Sequence, residues 1–185
     1  MSIQSNHTTT EADLIKGCIA GERRMQEILY QRFSPKMYAV CLRYANKAED
    51  AQDILQNGFV KVFKNLHMYR GEGSFEGWIR RIFVNTAIEH YRRQVNLYPV
   101  TEGHENALEA KDLSALDSLN MKDLMGIIQE LSPGYKTVFN LYVIEGYSHK
   151  EIAEMIGISE GTSKSQLARA KGILQNIIRT RLTPS

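Results

Sequence analysis

The chain has 185 residues, 43% of them apolar and 24% charged, with 23 Lys and Arg against 21 Asp and Glu, the balance of an ordinary folded protein able to build one domain or two small ones. No run of 18 apolar residues is available to cross a bilayer, and the opening MSIQSNHTTTEAD lacks the basic-then-apolar order of an export signal, so neither membrane insertion nor export is expected. Cys18 and Cys41 have no CxxC spacing and the five histidines are scattered, which predicts buried thiols in a reducing cytosol and no catalytic, cofactor or metal site.

Charge is uneven along the chain: residues 1–100 carry a net +4, residues 101–121 carry −4, and residues 122–185 carry +2. Two mildly basic pieces joined by an acidic strap suggest nucleic acid at both ends and another role for the middle. Between Glu11 and Phe33 the spacing of Leu14, Ile15, Ile19, Met25, Ile28, Leu29 and Phe33 predicts two short helices broken near Gly21. Pro35 is expected to open a further helix that ends by Asn46, with Met37, Val40, Cys41 and Tyr44 on its inner side.

Residues 48–66 form the clearest amphipathic helix of the first half, with Ala51, Leu55, Phe59, Val62 and Leu66 as its stripe. Asp53, Gln56, Asn57 and Lys61 lie off that stripe, where composition alone reads them as a solvated surface. Gly58 in mid-helix costs roughly 1 kcal/mol relative to alanine, which predicts close packing or a local kink. HMYRGEGS, residues 67–74, is a loop. In the helix that follows, residues 75–93, Phe75, Ile79, Ile82, Phe83 and Thr86 face inward while Arg80, Arg81, Asn85, His90, Arg92 and Arg93 make up the rest. Cations, amide and hydroxyl groups beside aromatics are the mixture that tracks a single strand and stacks its bases. Trp78 itself is expected in the core, since tryptophan is usually highly buried.

From Asn96 to Asn120 periodicity weakens and acids, a proline and a glycine accumulate, as in a linker with one helical turn at most. Beyond it Leu124, Ile127, Ile128 and Leu131 mark a helix that stops at Ser132-Pro133-Gly134, where Ser132 is placed to cap a new helix running through Tyr135, Val138, Phe139 and Tyr142 to Gly146. SHKEIAEMIGISEGTSKSQLARAK, residues 148–171, then reads as two helices joined at Gly157: Ser148 and Glu151 form a capping box, and Ser159 caps the second helix. On that second helix Ser163, Leu167, Ala170, Leu174 and Ile178 line one side, with Thr162, Ser165 and Arg169 opposite and Lys164 and Gln166 on the flanks. Short hydroxyls, an amide and cations suit a groove, with base edges and phosphates within reach; an ordinary helical hairpin has the same outline. The expected fold is all-α, in two small helical domains, 1–95 and 121–185, joined by a flexible acidic linker, 96–120.

In their order and separation, AEDAQDILQNGFVKVF, FEGWIRRIFVNTAIEHYRR, the acidic linker and ELSPGYKTVFNLYVIEGYSHKEIAEMIGISEGTSKSQLARAK resemble the extracytoplasmic-function sigma factors of bacterial RNA polymerase, over about residues 11–180. The resemblance implies sigma regions two and four, attachment to core polymerase through its β′ clamp helices and β subunit, recognition of promoter DNA both duplex and single-stranded, and strand opening, all in the cytoplasm and with no chemistry done by the factor. It places Asp53, Gln56, Asn57 and Lys61 on the face that meets the clamp helices, although Asn57-Gly58 stands where the family more often has an acid and an aliphatic residue. It assigns Arg80, Arg81, Asn85, Arg92 and Arg93, with the 67–74 loop, to the minus-ten element held as a single strand. Thr162, Lys164, Ser165, Gln166 and Arg169 match the helix that reads the minus-thirty-five element as duplex, with Ser163 in place of the usual valine, where its hydroxyl would loosen the packing or bond back to a carbonyl one turn earlier. The family's connector runs through the polymerase channel that later holds RNA, where acidic side chains mimic phosphate. An anti-sigma protein is the regulatory partner it implies.

Two rivals make different demands. A helix-turn-helix regulator that works without polymerase has no need of four arginines and an asparagine beside aromatics in residues 75–93, and a pull-down with core polymerase separates it. A helical enzyme acting on nucleic acid needs a site, and no carboxylate cluster, HExxH, glycine-rich phosphate loop or Ser/Cys/His grouping is present.

Overall fold

The computed structural model describes residues 9–97 and 121–182, and every regular element among them is helical. The helices are α1 (Glu11–Ile19), α2 (Arg23–Tyr44), α3 (Ala48–Asn65), α4 (Phe75–Leu97), α5 (Met121–Gln129), α6 (Pro133–Phe139), α7 (His149–Ile156) and α8 (Glu160–Leu182). A 3₁₀ turn, Leu66–Met68, extends α3, and a π-helical turn, Asn140–Ile144, extends α6. No helix among the described residues is long and apolar enough to cross a membrane. The helical turn anticipated within the linker falls outside the described residues.

The chain divides into two compact units, Met1–Cys41 with Gln52–Thr86, and Leu42–Ala51 with Ala87–Ser185. The first is built around Leu14, Leu29, Phe33, Met37, Phe59, Val62, Phe75, Ile79 and Phe83, all buried. Its aromatic rings meet edge to face, Phe33 with Phe75 at 5.5 Å and Phe59 with Phe83 at 5.2 Å, the arrangement ring quadrupoles favour. Gly58 is the point of closest approach: a Cβ there would stand 2.3 Å from Cε1 of Phe83, so the spacing anticipated from sequence is close packing.

The helix expected to start at Pro35 does not. α2 runs without interruption from Arg23 through Pro35 to Tyr44. An interior proline removes a hydrogen bond and crowds the carbonyl four residues back, costing about 3 kcal/mol. Here Pro35 and Gln31 are both exposed, on the side where water can serve the freed carbonyl, while Leu29, Phe33, Met37, Val40 and Cys41 bury a stripe that straddles the proline. At roughly 1.5–3 kcal/mol for each large apolar side chain buried, the stripe outweighs the break.

The second unit packs α6 and α7 on α8 around Ile128, Val138, Phe139, Leu141, Ile152, Leu167, Leu174 and Ile178. Ser132 occupies the N-cap position of α6, but its side chain makes no capping bond. The C-terminal end of α2 belongs to this unit. Helix ends leave their last carbonyls without partners, and three at the C-terminal end of α2 are met by side chains of α5, α6 and the π turn. Gln129 Nε2 donates to Leu42 O, Asn140 Nδ2 donates to Arg43 O at 2.7 Å, and Lys136 Nζ donates to Ala45 O at 2.9 Å. Arg43 and Glu145 pair at 3.4 Å with both side chains largely buried.

Candidate nucleic-acid interface

The segment between Tyr147 and Lys171 folds as its local signals dictate. The backbone N–H of Ser148 donates to Glu151 Oε2 at 2.8 Å, and the N–H of Glu151 donates to Ser148 Oγ at 3.3 Å, so a reciprocal box starts α7. The bonds from Ser148 hold the Glu151 carboxyl below its ordinary value. Gly157 ends α7 with φ at 75°, a left-handed conformation where a side chain would clash. Ser159 Oγ then accepts the N–H of Thr162 at 3.0 Å and lies 2.9 Å from Thr162 Oγ1, while Ser165 Oγ donates to Thr162 O at 3.0 Å.

The inward stripe of α8 is the one anticipated: Ser163, Leu167, Ala170, Leu174 and Ile178 are all buried. Opposite it Lys164 and Ser165 are exposed, and Thr162 and Arg169 are half-buried. Gln166 departs from the group. It is 4% exposed, its amide nitrogen only 3.4 Å from where a Cβ on Gly134 would stand. Arg169 Nη1 donates to the Tyr135 hydroxyl at 3.4 Å, which ties its side chain to α6. The Ser163 hydroxyl lies 2.9 Å from Nδ1 of His149, a partner on another helix, and that ring stacks on Tyr142 at 4.5 Å. Burial, and next the charge of Lys164, lower the His149 pKa.

Along α4, Arg81, Asn85, Arg92 and Arg93 are exposed. At 100° per residue Arg81, Asn85 and Arg92 fall within an arc of about 40°, a single face. Arg80 falls elsewhere: it is half-buried, between Val84 and Ala87 of the inner side. Trp78 is not in the core as expected but at its edge, half-buried, with its ring parallel to Phe75 at 5.9 Å and next to Tyr69 at 5.5 Å. The 67–74 loop is braced there by the Tyr69 hydroxyl, which donates to Gly73 O at 2.9 Å. On α3, Asp53, Gln56 and Asn57 are exposed and Lys61 half-buried, and Val60 is 65% exposed in the middle of them.

An α8 with small hydroxyls and cations opposite a buried stripe, and an α4 with cations beside aromatic rings, match what comparison with known proteins finds. The profile of Sigma-70 region 2 matches residues 29–96, and that of Sigma-70 region 4 matches residues 121–174. The chain is an extracytoplasmic-function member of the sigma-70 family. It is 28% identical to the ECF RNA polymerase sigma-E factor of Haemophilus influenzae over 181 residues, 91% of this chain and 95% of that one. It is also 28% identical to the RNA polymerase sigma-H factor of Pseudomonas aeruginosa over 177 residues, 88% and 92% of the two chains. A sigma factor RpoE from Bartonella quintana, solved with its anti-sigma factor NepR, aligns at a TM-score of 0.49 with 20% identity, covering 84% of this chain and 97% of that one. This sigma factor is an RNA polymerase-binding transcription initiation factor that recognises promoters.

Sequence reasoning passed over several residues of the sigma factor that its structure makes prominent. Val60 escaped because valine at an outward position breaks no helical pattern; its place between Asn57 and Lys61 was the available signal. Lys136 gave none, since a lysine in a second helical turn normally stands in water, yet it is 1% exposed. No group of three His, Cys, Asp or Glu side chains among the described residues could hold a metal ion.

Proposed function

We propose that the sigma factor divides its work among three helical faces. Asp53, Gln56, Asn57 and Lys61 on α3 dock the β′ clamp helices of core polymerase, the exposed Val60 supplying an apolar centre within a polar ring. Arg81, Asn85, Arg92 and Arg93 on α4, beside Trp78 and the 67–74 loop, hold the minus-ten element as a single strand while the duplex opens, with Arg80 contributing from the margin. Thr162, Lys164, Ser165 and Arg169 on α8 read the minus-thirty-five element as duplex, and Gln166 supports that face from its inner edge. Domains 1–95 and 121–185, joined by the 96–120 linker, carry these tasks in the cytoplasm, and the factor performs no chemistry of its own. An anti-sigma protein acting as regulator belongs to the same reading; the exposed Tyr142 and Val143 side chains give such a partner an apolar hold.

The observation that carries this reading is the braced outer face of α8: hydroxyls fixed on one another or on the backbone at 2.9–3.0 Å, opposite a fully buried stripe. Pre-set polar groups on a helix able to enter a major groove are what discrimination between base edges requires. Run-off transcription by core polymerase, with and without the factor, tests the whole assignment. Specific start sites should appear only with the factor and vanish when Thr162, Ser165 and Arg169 are replaced together by alanine. Unchanged start sites in that variant would remove α8 from promoter reading.

A further inference from the structure

We propose that His149 is a further duplex contact of this sigma factor: its protonated imidazole, together with Lys164, holds one backbone phosphate at the rim of the minus-thirty-five element, so that duplex binding takes up a proton and tightens in mild acid. The inference rests on the assignment of α8 to that element.

In a helix-turn-helix the reading helix enters the major groove by its N-terminal residues, while the helix before it crosses the backbone. Here those helices are α8 and α7, and His149, the first residue of α7, bridges them. Its Nδ1 lies 2.9 Å from the hydroxyl of Ser163 in the first turn of α8. Ser163 stands between Thr162 and Lys164, both assigned to the duplex. A side chain wedged between the two helices at this end therefore sits over the rim of the groove, where the phosphates run. Ser163 is buried, His149 half-buried and Lys164 exposed, so the order from core to solvent is hydroxyl, ring, ammonium.

The ring can serve both neighbours at once. A serine hydroxyl accepts as well as donates, so a protonated imidazole keeps the Ser163 bond through Nδ1–H and has Nε2–H to give to a phosphate oxygen. Its flat face suits a charge too: the ring stacks on Tyr142 with centroids 4.5 Å apart, and a cation over an aromatic ring is attracted to it. The π turn brings only this tyrosine. α8 brings the charges of Lys164, Glu160 and Lys171, in that order of influence, with Glu160 itself paired to Lys164 at 3.9 Å. α7 adds Lys150 and Glu151, whose carboxylate is taken up by Ser148. Without DNA, burial and then the Lys164 charge disfavour the protonated ring. A phosphate brought to Lys164 reverses the second effect, because one anion offsets the lysine and pairs with the ring. Duplex and proton must then promote each other's binding, since coupling between two ligands is reciprocal.

Holoenzyme assembled from core polymerase and the full chain tests this on a duplex fragment carrying the minus-thirty-five element of a start site mapped by run-off transcription. Affinity is measured between about pH 7.5 and about pH 5.5, on either side of an ordinary imidazole. One proton taken up tightens binding by at most about ten-fold per pH unit, and wild type should gain about three- to ten-fold over the range. His149→Gln keeps an amide for Ser163 but takes up no proton, and should lack that gain; effects of pH on core or on DNA are common to both. Counterion release gives a second reading: the logarithmic salt slope should steepen by about 0.9 at the acid end in wild type alone, the share of one duplex phosphate. The third needs no variant holoenzyme, since the ring resonances of His149 in the full chain should titrate at a higher pH with the duplex than without it. An unchanged midpoint on duplex binding, or a pH and salt dependence shared by wild type and His149→Gln, would overturn the His149 contact and leave α8 as the reader. A fragment bound equally well after Thr162, Ser165 and Arg169 are replaced together by alanine would overturn the assignment of α8, and this inference with it.

Discussion

α4 and α8 are of equal length, 23 residues each, and both carry cations opposite a buried stripe, yet they present those cations differently. On α8 the polar groups brace one another: Ser159, Thr162 and Ser165 are linked within 3.0 Å, and Arg169 leans on the Tyr135 hydroxyl. On α4 the exposed Arg81, Asn85 and Arg92 stand apart from one another along three turns, with rings of Trp78 and Tyr69 near their N-terminal end. A duplex offers a fixed lattice of base edges, which rewards pre-set donors. A single strand is pliable and is held by charge along its backbone and by ring faces under its bases. The difference between the two helices is thus one of ordering: under the proposed assignment α8 would be arranged before DNA arrives, whereas α4 would let the strand arrange itself.

The largest effect should come from emptying the α4 face. Replacing Arg81, Asn85 and Arg92 by Gln, Ser and Gln removes at least two charge-assisted hydrogen bonds worth about 1.5–3 kcal/mol each, so opening should fall roughly 10²–10⁴-fold. Permanganate reactivity of unpaired thymines reads opening, while anisotropy with labelled core should show attachment through α3 intact. The logarithmic salt slope should flatten by about 0.7 for each single-strand phosphate that no longer meets an arginine. Arg80→Gln, half-buried on another side of the helix, should cost far less. Equal losses from Arg80 and from the triple replacement would erase the face distinction.

A smaller effect is expected from Gly58→Ala. The new Cβ would meet Phe83 at 2.3 Å, and overpacking of this kind costs about 1–3 kcal/mol, offset by up to about 1 kcal/mol of helix propensity. Thermal melting should shift down by several degrees. Adding Phe83→Leu should recover part of the loss, and a double-mutant cycle gives the coupling directly. Because Phe83 seats α4, promoter opening should weaken in step with stability, whereas binding of a duplex minus-thirty-five fragment should not change.

How much of this was legible beforehand varies with the distance over which each feature is decided. The Ser148–Glu151 box, the Gly157 turn, the α8 stripe and the tight approach at Gly58 depend on neighbours within one or two turns, and the sequence showed them. Pro35 misled because its local penalty is real, but the stripe from Leu29 to Cys41 that overrides it is a tertiary matter. Arg80 was placed off the inner stripe of α4 and Gln166 on the flank of α8, yet each borders a packed neighbour, and a difference of one flank decides burial. Ser163 was recognised as an inward hydroxyl, while its partner, His149, stands 14 residues away on another helix. Lys136 was invisible because two of its acceptors, Ala45 O and Asn46 Oδ1, lie some 90 residues upstream.

Arg169→Ala probes the pre-set face of α8. Removing one bond to a base should weaken binding to the duplex element by about 1–3 kcal/mol, measured by titration with the cognate fragment. Melting should change little, since the side chain lies opposite Leu167, Leu174 and Ile178 and its bond to Tyr135 is long at 3.4 Å. An equally large drop in stability would show that Arg169 holds α8 on α6 rather than reading DNA.

The smallest effect sharpens the comparison from the other side, by asking what keeps α8 in place. His149 reaches from α7 to the Ser163 hydroxyl, and burial together with the Lys164 charge depresses its pKa below the ordinary 6.5. Between the depressed value and 6.5 the unfolded chain binds more protons than the folded one, so stability rises with pH through that window. The contribution is fully present above about 6.5 and is lost as the pH falls. Mild acid should therefore loosen the seat of α8 on α7, which amide exchange in the two helices would report as lower protection near pH 5 than near pH 7. His149→Gln, which keeps a hydrogen-bonding amide but cannot take up a proton in this range, should flatten that dependence. Proton resonances of the His149 ring, assigned by comparison with the variant, should titrate with a midpoint below 6.5; a midpoint at or above it would mean that the ring is not held neutral by its setting, and that Ser163 relies on packing alone.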